Sequence, residues 1–562
     1  MHQKVRVLSL VGLTVALCSG GIALHPVLAK STMKGAHSKA SLGLGKAGSG
    51  RSLWADFNGD GYGDLAVSQY GEDVGTIVDA GAVTVMYGSP TGLTTTGSQF
   101  WTENSPGVAG DGAEAHDEFG RNISAGDFNG DGNWDLVVGI AGESVGTILD
   151  AGAAIVIYGS PTGLVAAGSQ FWTENSPGIV SDGAEAHDGF GWTNGAGDFN
   201  SDGYMDLALG IQTEDLYQNT IENAGAAIVI YGSANGLDTS AGPGAQWWTE
   251  DSPGMNSDGA EKGDVFGRSF ASGDFNADGY PDLAIGIQTE DVGTIVDAGA
   301  VSVIYGSASG LDTSAGPGAQ WWNENSPGMN SDGAETGDWF GRTGLDSGDI
   351  NGDGYADLAV GILQEDIGAI ANAGAFMVIY GSSAGLTSTG SQFWSQDSPG
   401  VKDQSEAGDI MGRYLNVGDF DGNGFADVAV GVEAEDGLTQ DKANVGAINV
   451  LYGSAAGLTA TGNQFWTEDS PGVAGDGAER DDRYGRVVVA GDFNGDGYAD
   501  MVMGGGGENI GNIGGAGAII VLYGSPARLT SAGSQFWNEN SPGMAGDGAE
   551  AGDLFGRWLA AS

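Results

Sequence analysis

One cysteine stands in 562 residues, and only 19 lysines and arginines accompany 74 aspartates and glutamates. The cysteine, Cys18, lies in the apolar stretch VLSLVGLTVALCSGGIAL near the N-terminus. Past that stretch no disulfide, thiolate metal site or cysteine nucleophile is available. The formal charge of −55 lacks the basic footprint of a nucleic-acid binder, which excludes that class. It also disfavours docking on an anionic membrane surface. Histidine is scarce: after residue 29 only His37, His116 and His187 occur, and no GxSxG elbow stands in a suitable setting. No later apolar run is long enough to span a bilayer. What the chain has in excess is glycine, 105 residues, without the G-X-Y period of collagen. Hydrophobic residues make up 40%, enough for a core. So acidic a chain should repel itself unless it binds cations.

The N-terminus reads as a secretory signal over 1–29. Lys4 and Arg6 precede the apolar stretch, and VLA at 27–29 offers small-residue cleavage before Lys30. Leu17 is a poor lipoprotein cleavage residue, so no lipid anchor is expected. Residues 30–51 carry Lys30, Lys34, Lys39, Lys46 and Arg51 and no acid, which predicts a flexible linker. The expected location is secreted or extracellular, in the manner of exported bacterial proteins.

From residue 52 onward the chain repeats itself. DFNGDGYGD at Asp56 returns as DFNGDGNWD at Asp127, DFNSDGYMD at Asp198 and DFNADGYPD at Asp274. It returns again as DINGDGYAD at Asp349, DFDGNGFAD at Asp419 and DFNGDGYAD at Asp492, giving steps of 71, 71, 76, 75, 70 and 73 residues. A YGS triplet and an aromatic pair, such as Phe100-Trp101 or Trp321-Trp322, follow each copy. Each unit reads as four short strands separated by Gly, Asn and Asp turns. One leads into the acidic loop, one is the apolar run after it (DLAIGI, 282–287), one is GAVSVIYGS (299–307), and one carries the aromatic pair. Four strands per unit, repeated radially, predict an all-β, seven-bladed propeller over 52–562. An orphan FGRWLAAS ends the chain, while the first unit lacks an FGR strand. The C-terminal strand is therefore expected to complete the N-terminal blade and close the ring.

The acidic loops have the donor pattern of a hard cation that takes six to eight oxygens. In the first, Asp56, Asn58, Asp60 and Asp64 offer side-chain oxygens at positions 1, 3, 5 and 9, and Tyr62 a carbonyl at position 7. The same positions hold Asp127, Asn129, Asp131, Asn133 and Asp135 in the second loop, and Asp198, Asn200, Asp202, Tyr204 and Asp206 in the third. They hold Asp274, Asn276, Asp278, Tyr280 and Asp282 in the fourth, and Asp349, Asn351, Asp353, Tyr355 and Asp357 in the fifth. The sixth exchanges two of them (Asp419, Asp421, Asn423, Phe425, Asp427), and the seventh restores the pattern (Asp492, Asn494, Asp496, Tyr498, Asp500). Glycine at position 6 permits the sharp turn. Up to seven Ca2+ ions are expected. An EF-hand is excluded because position 12 is apolar in every copy, Val67 in the first. Plain Asx turns without metal are the alternative.

The string FGR…GDFNGDGYxDLxVG…GAxxVxYGS resembles the FG-GAP repeat of the integrin α-subunit N-terminal propeller and of secreted bacterial proteins. The resemblance covers about 52–562. It implies that the loop residues bind calcium, although integrins use such loops in only some blades. It also implies that the opposite face meets ligand and partner subunit.

Strand alternation places the acidic loops and YGS turns on one face. The longer loops, such as 288–299 and 324–341, fall on the other, which suits binding. An E-x-x-D-x-F/M/Y-G motif lies there in all seven units, from Glu114 and Asp117 to Glu550 and Asp553. Arg121, Arg268, Arg342, Arg413, Arg486 and Arg557 follow it in six units, and this reads as an ion-pair and turn-capping device or as a ring of acids facing cations or a basic partner. No catalytic constellation breaks the repeat. The functional expectation is a monomeric, secreted, calcium-binding propeller that holds an extracellular protein or mediates cell adhesion. A lectin that binds glycan between blades is the alternative. A hydrolase or its accessory scaffold is a second, since the GPI-specific phospholipase D of animals carries similar repeats.

Overall fold

A computed structural model describes residues 54–217, 220–437 and 442–561. The expected signal (1–29) and linker (30–51) lie outside the described residues. Every regular element among them is a strand, and the strands form seven four-stranded antiparallel sheets. The second blade shows the plan. Its strands Asn122–Gly126, Asp135–Ile140, Ala153–Tyr158 and Val165–Trp172 pair in chain order from the axis outward. The two middle strands of each blade are buried on both faces, which is why they read as unbroken apolar runs such as LALG and AIVI rather than alternating ones. The DLAIGI strand falls at Asp282–Ile287, as its sequence predicts.

Closure follows the expected route. Leu559–Ala560 is the innermost strand of the first blade, with Ala66 opposite Ala560 and Val67 opposite Leu559. Ser68 N–H donates to the Trp558 carbonyl at 3.0 Å, and Ala55 N–H to Ala561 at 2.7 Å. The apolar core is divided into seven clusters, and each joins two neighbouring blades. One of them sets Leu65, Val67 and Met86 against Val487, Val502 and Phe555, so the seam between last and first blade is packed like the others.

Two repeated motifs explain how blades lock. The Gly before each third strand has positive φ, and a Cβ at Gly152 would stand 2.3 Å from the Phe190 amide nitrogen of the next blade. Glycine is required there for backbone to meet backbone. Phe190 N–H donates to Ala151 at 2.8 Å across that contact. The aromatic pairs of the outer strands pack between blades: Trp101 is 9% exposed, and Trp172 and Trp394 lie against neighbouring core clusters. In the third and fourth blades the outer strand shrinks to Gln246–Trp248 and Gln320–Trp322. The inserted SAGPG segment there removes an amide donor at Pro243 and Pro317, and it contributes to the longer steps of 76 and 75 residues.

Candidate metal loops and the hub on the opposite face

All seven acidic loops fold alike. In the first, Asp56 accepts from the Asp60 amide (3.1 Å) and the Gly61 amide (2.8 Å), Asn58 Oδ1 from Asp60 (2.8 Å), and Asp60 Oδ1 from Tyr62 (3.1 Å). The other loops repeat this pattern, the sixth with Asn423 in the fifth-position role. The ninth-position aspartate is 0% exposed in each. Asp64 Oδ2 accepts from Phe57 and Oδ1 from Gly88 of the YGS turn, at 2.8 and 2.9 Å. It ties the loop to the turn beside it, so the two share one face, as strand alternation predicts. The seventh-position aromatic reaches back to the preceding loop: a Cβ at Gly130 in the second loop would meet Cε1 of Tyr204 from the third at 2.7 Å.

The donor set is all oxygen, which fits Ca2+ and excludes softer metals. Burial, with neighbouring carboxylates adding to it, raises the first- and ninth-position aspartates. Asp198 is pushed to about 6 and Asp135 to about 8 against the backbone N–H groups that lower them. Charge crowded this way needs a proton or a cation. The residues fit the ion: Asp at 1 and 9 and the acid at 5, or at 3 in the sixth loop, would hold it, with the third-position amide beside them. The sixth loop differs in one further respect, because Arg528 Nε stands 3.7 Å from Asp421. Shallow clefts open beside the loops, one of about 520 Å³ lined by Asn58, Asp60, Tyr87 and Thr94.

The other face is built differently. The aspartate of each E-x-x-D motif caps its own turn: Asp117 Oδ2 accepts from the Glu114 amide, and Asp409 from Glu406 at 2.6 Å. The arginines that follow do not pair with that aspartate. They start the innermost strands, each of which touches the next until the last meets the first. Their side chains gather near the axis. Burial lowers Arg342 to about 10, and Arg268 and Arg413 lower it further. Arg121 lies over the rings of Tyr70 and Trp192 at 4.9 and 5.1 Å, and Arg342 over Trp339 at 4.2 Å. Trp192 takes the arginine's place in the third blade. Tyr414 and Trp558 meet edge to face at 5.4 Å. One buried acid serves this hub. Glu433 binds Arg413 at 2.8 Å, Arg486 at 2.9 Å and Arg483 at 3.3 Å. Burial works to raise Glu433, but Arg486, Arg413, Arg483 and Arg557 outweigh it and hold the carboxyl below its ordinary value. His116 and His187 are exposed and face Asp79 and Asp150 at 3.0 and 2.9 Å, so they are surface residues.

Motif reading found the E-x-x-D aspartates but missed the glutamates that meet them, Glu103 and Glu143 around Asp117. The signal was present: a Glu stands eight residues after each ninth-position Asp, and Glu or Gln stands two residues after each aromatic pair.

Five stretches, 52–86, 190–230, 266–304, 342–378 and 484–522, match the FG-GAP repeat family. Phosphatidylinositol-glycan-specific phospholipase D of Dictyostelium discoideum is 29% identical over 202 residues, 35% of this chain and 20% of that protein. Integrin alpha-PS5 of Drosophila melanogaster is 33% identical over 174 residues, 31% of this chain and 15% of that one. The matches thus span about a fifth or less of these relatives' length. Among solved structures, the exotype rhamnogalacturonan lyase YesX aligns at TM-score 0.37 and 12% identity over 85% of this chain and 76% of that one, too remote to bear on chemistry. The chain thus carries FG-GAP repeats and is homologous, over part of its length, to integrin alpha subunits.

Proposed function

We propose that the chain is a secreted, monomeric binding module in which calcium stiffens one face of the propeller and the other face holds an extracellular protein, as in cell adhesion. The observation that carries this reading is the difference between the faces. One is a regular ring of seven oxygen-rich loops that fold alike. The other surrounds an arginine and aromatic hub with long acidic loops. A cationic, aromatic centre in an acidic rim discriminates partners by charge and offers stacking surfaces. Kinship with integrin alpha subunits supports the adhesive role. The likeness to phospholipase D supports a hydrolase reading less well, since no catalytic constellation breaks the repeat. The clefts beside the calcium loops keep a glycan-binding reading in play.

The test is a binding screen of the chain from residue 52 onward against arrayed extracellular-matrix proteins and glycans, in calcium and in chelator. Its control is an Arg342→Glu variant, which reverses charge at the hub. A protein ligand lost in Arg342→Glu supports the proposal. A glycan ligand indifferent to that variant moves the site to the clefts. Phosphodiester hydrolysis without any stable ligand would overturn it.

A further inference from the structure

The face that carries the hub holds a second ring of acids. At five blade boundaries three buried carboxylates converge: Glu72, Glu539 and Asp553; Glu103, Asp117 and Glu143; Glu174, Asp188 and Glu214; Glu250, Asp264 and Glu290; Glu324, Asp338 and Glu365. One ligand oxygen from each lies within 4.8 Å of the others in its group. The remaining boundaries repeat the constellation, with Glu468, Asp482 and Glu508 at one and Asp409, Glu435 and Gln396 at the other. A fourth carboxylate comes from the acid-rich loop: Asp332 reaches Glu365, and Asp111 reaches Glu143, at hydrogen-bonding range. Two carboxylates can approach so closely only with a proton or a cation between them.

A second observation concerns the oxygens themselves. Glu72, Glu365 and Glu508 are 0% exposed, and neither carboxylate oxygen of any of them has a hydrogen-bond partner. Both oxygens of Glu214, Glu250, Glu290 and Glu324 are likewise buried and unpartnered. Leaving a buried acceptor unsatisfied costs about 1–3 kcal/mol, and more for a charged one. The chain shows elsewhere how it neutralises a buried glutamate with its own cations, at Glu433 with its arginines. Among the described residues, no lysine or arginine forms an ion pair with the carboxylates of those five groups. Space is also reserved: a Cβ at Gly475 would sit 2.2 Å from Glu468 Oε1, and one at Gly110 2.6 Å from Glu103 Oε1.

We infer that these carboxylate groups are a second set of Ca2+ sites, one at each boundary between blades, on the face opposite the acidic loops. An all-carboxylate donor set selects a hard cation. The irregular, several-carboxylate geometry suits calcium, since Mg2+ holds to an octahedron and keeps its waters. Each ion would draw together the end of one blade, the loop that leaves it and the second strand of the next. The group of Glu72, Glu539 and Asp553 would do so across the closing seam. The sixth boundary, where Gln396 Nε2 donates to Glu435 Oε2 at 2.8 Å, has one carboxylate fewer and binds most weakly. This inference does not depend on the loops holding metal.

Bound calcium is counted by equilibrium dialysis and elemental analysis on the full chain at pH 7.5, alongside two variants. Glu365→Gln with Asp338→Asn removes one boundary group, and Asp353→Asn disables one loop. Loss of about one ion in the boundary variant supports the inference whatever the loop variant does. Loss in Asp353→Asn alone, with the boundary variant unchanged, overturns it and leaves the loop reading intact. Should the boundary variant fail to fold, anomalous scattering from crystals of the unaltered chain soaked in Tb3+ decides. Peaks between Glu324, Asp338 and Glu365 support the site, and peaks confined to the acidic loops overturn it.

Discussion

Leu559→Ala tests ring closure, because it separates two expectations by a wide margin. A residue this near a chain end is ordinarily frayed, and truncating it costs less than about 0.5 kcal/mol. Leu559 is instead 6% exposed, in the cluster that joins the last blade to the first. Removing its three outer carbons forfeits about 0.8 kcal/mol per carbon, and the cavity left among Leu65, Val67 and Val489 adds to that, for about 3 kcal/mol in all. Unfolding entropy near 2.1 cal/mol/K per residue makes that about a 3 °C drop for one cooperative unit of this size. Urea denaturation in calcium measures the energy, and hydrogen exchange locates it. The amides of Ser68 and Ala55, which donate to Trp558 and Ala561, should lose protection before those of the fourth blade. A change below about 0.5 kcal/mol with protection intact would refute a closing role for the C-terminal strand.

Gly152→Ala, at a φ of 82° and with a Cβ only 2.3 Å from the Phe190 nitrogen, should cost more than about 1 kcal/mol of strain alone; a denaturation midpoint within error of the parent would contradict the backbone contact. Glu433→Gln strips the hub of its buried acid and leaves Arg413, Arg483 and Arg486 facing one another, so about 3 kcal/mol should be lost, whereas a neutral result would mean solvent already compensates the arginines. The calcium-free chain should melt higher as pH falls from 8 to 6. Burial and neighbouring acids raise Glu72, Glu143 and Glu508 to about 10 from an ordinary 4.5. Their contribution is therefore complete below about 4.5 and declines as pH climbs toward 10, by up to about 1.4 kcal/mol per pH unit for each proton held. Saturating calcium should flatten that slope, and a calcium-free melting temperature that rises with pH would contradict it.

Much of the fold was legible because a repeat converts one local reading into seven. The strand Asp282–Ile287, the loops at Asp56 through Asp492 and the orphan C-terminal strand needed only counting and strand alternation. What counting could not reach was side-chain convergence across blades. Glu324, Asp338 and Glu365 recur at fixed offsets, yet nothing in one dimension says that the end of one blade meets the second strand of the next. The arginines after FG were open to two readings for the same reason. On an inner strand they face the axis, beyond reach of the E-x-x-D aspartate that precedes them by four residues, and meet Glu433 and aromatic rings instead. The ninth-position aspartate had a second task that the loop pattern did not show, since Asp64 also anchors the YGS turn through Gly88.

The central claim is that an acidic propeller without disulfides is held together by calcium. It is tested most directly by melting the chain, stripped of metal and verified so by elemental analysis, across a calcium titration at pH 7.5. Sites of this class bind at about 10⁻⁴–10⁻³ M, and each contributes about 1.4 kcal/mol once calcium is roughly tenfold above its dissociation constant. Seven or more sites then predict a melting temperature that climbs by about 10 °C between trace and 10 mM calcium. A metal-free chain that melts at the same temperature throughout the titration would contradict the account.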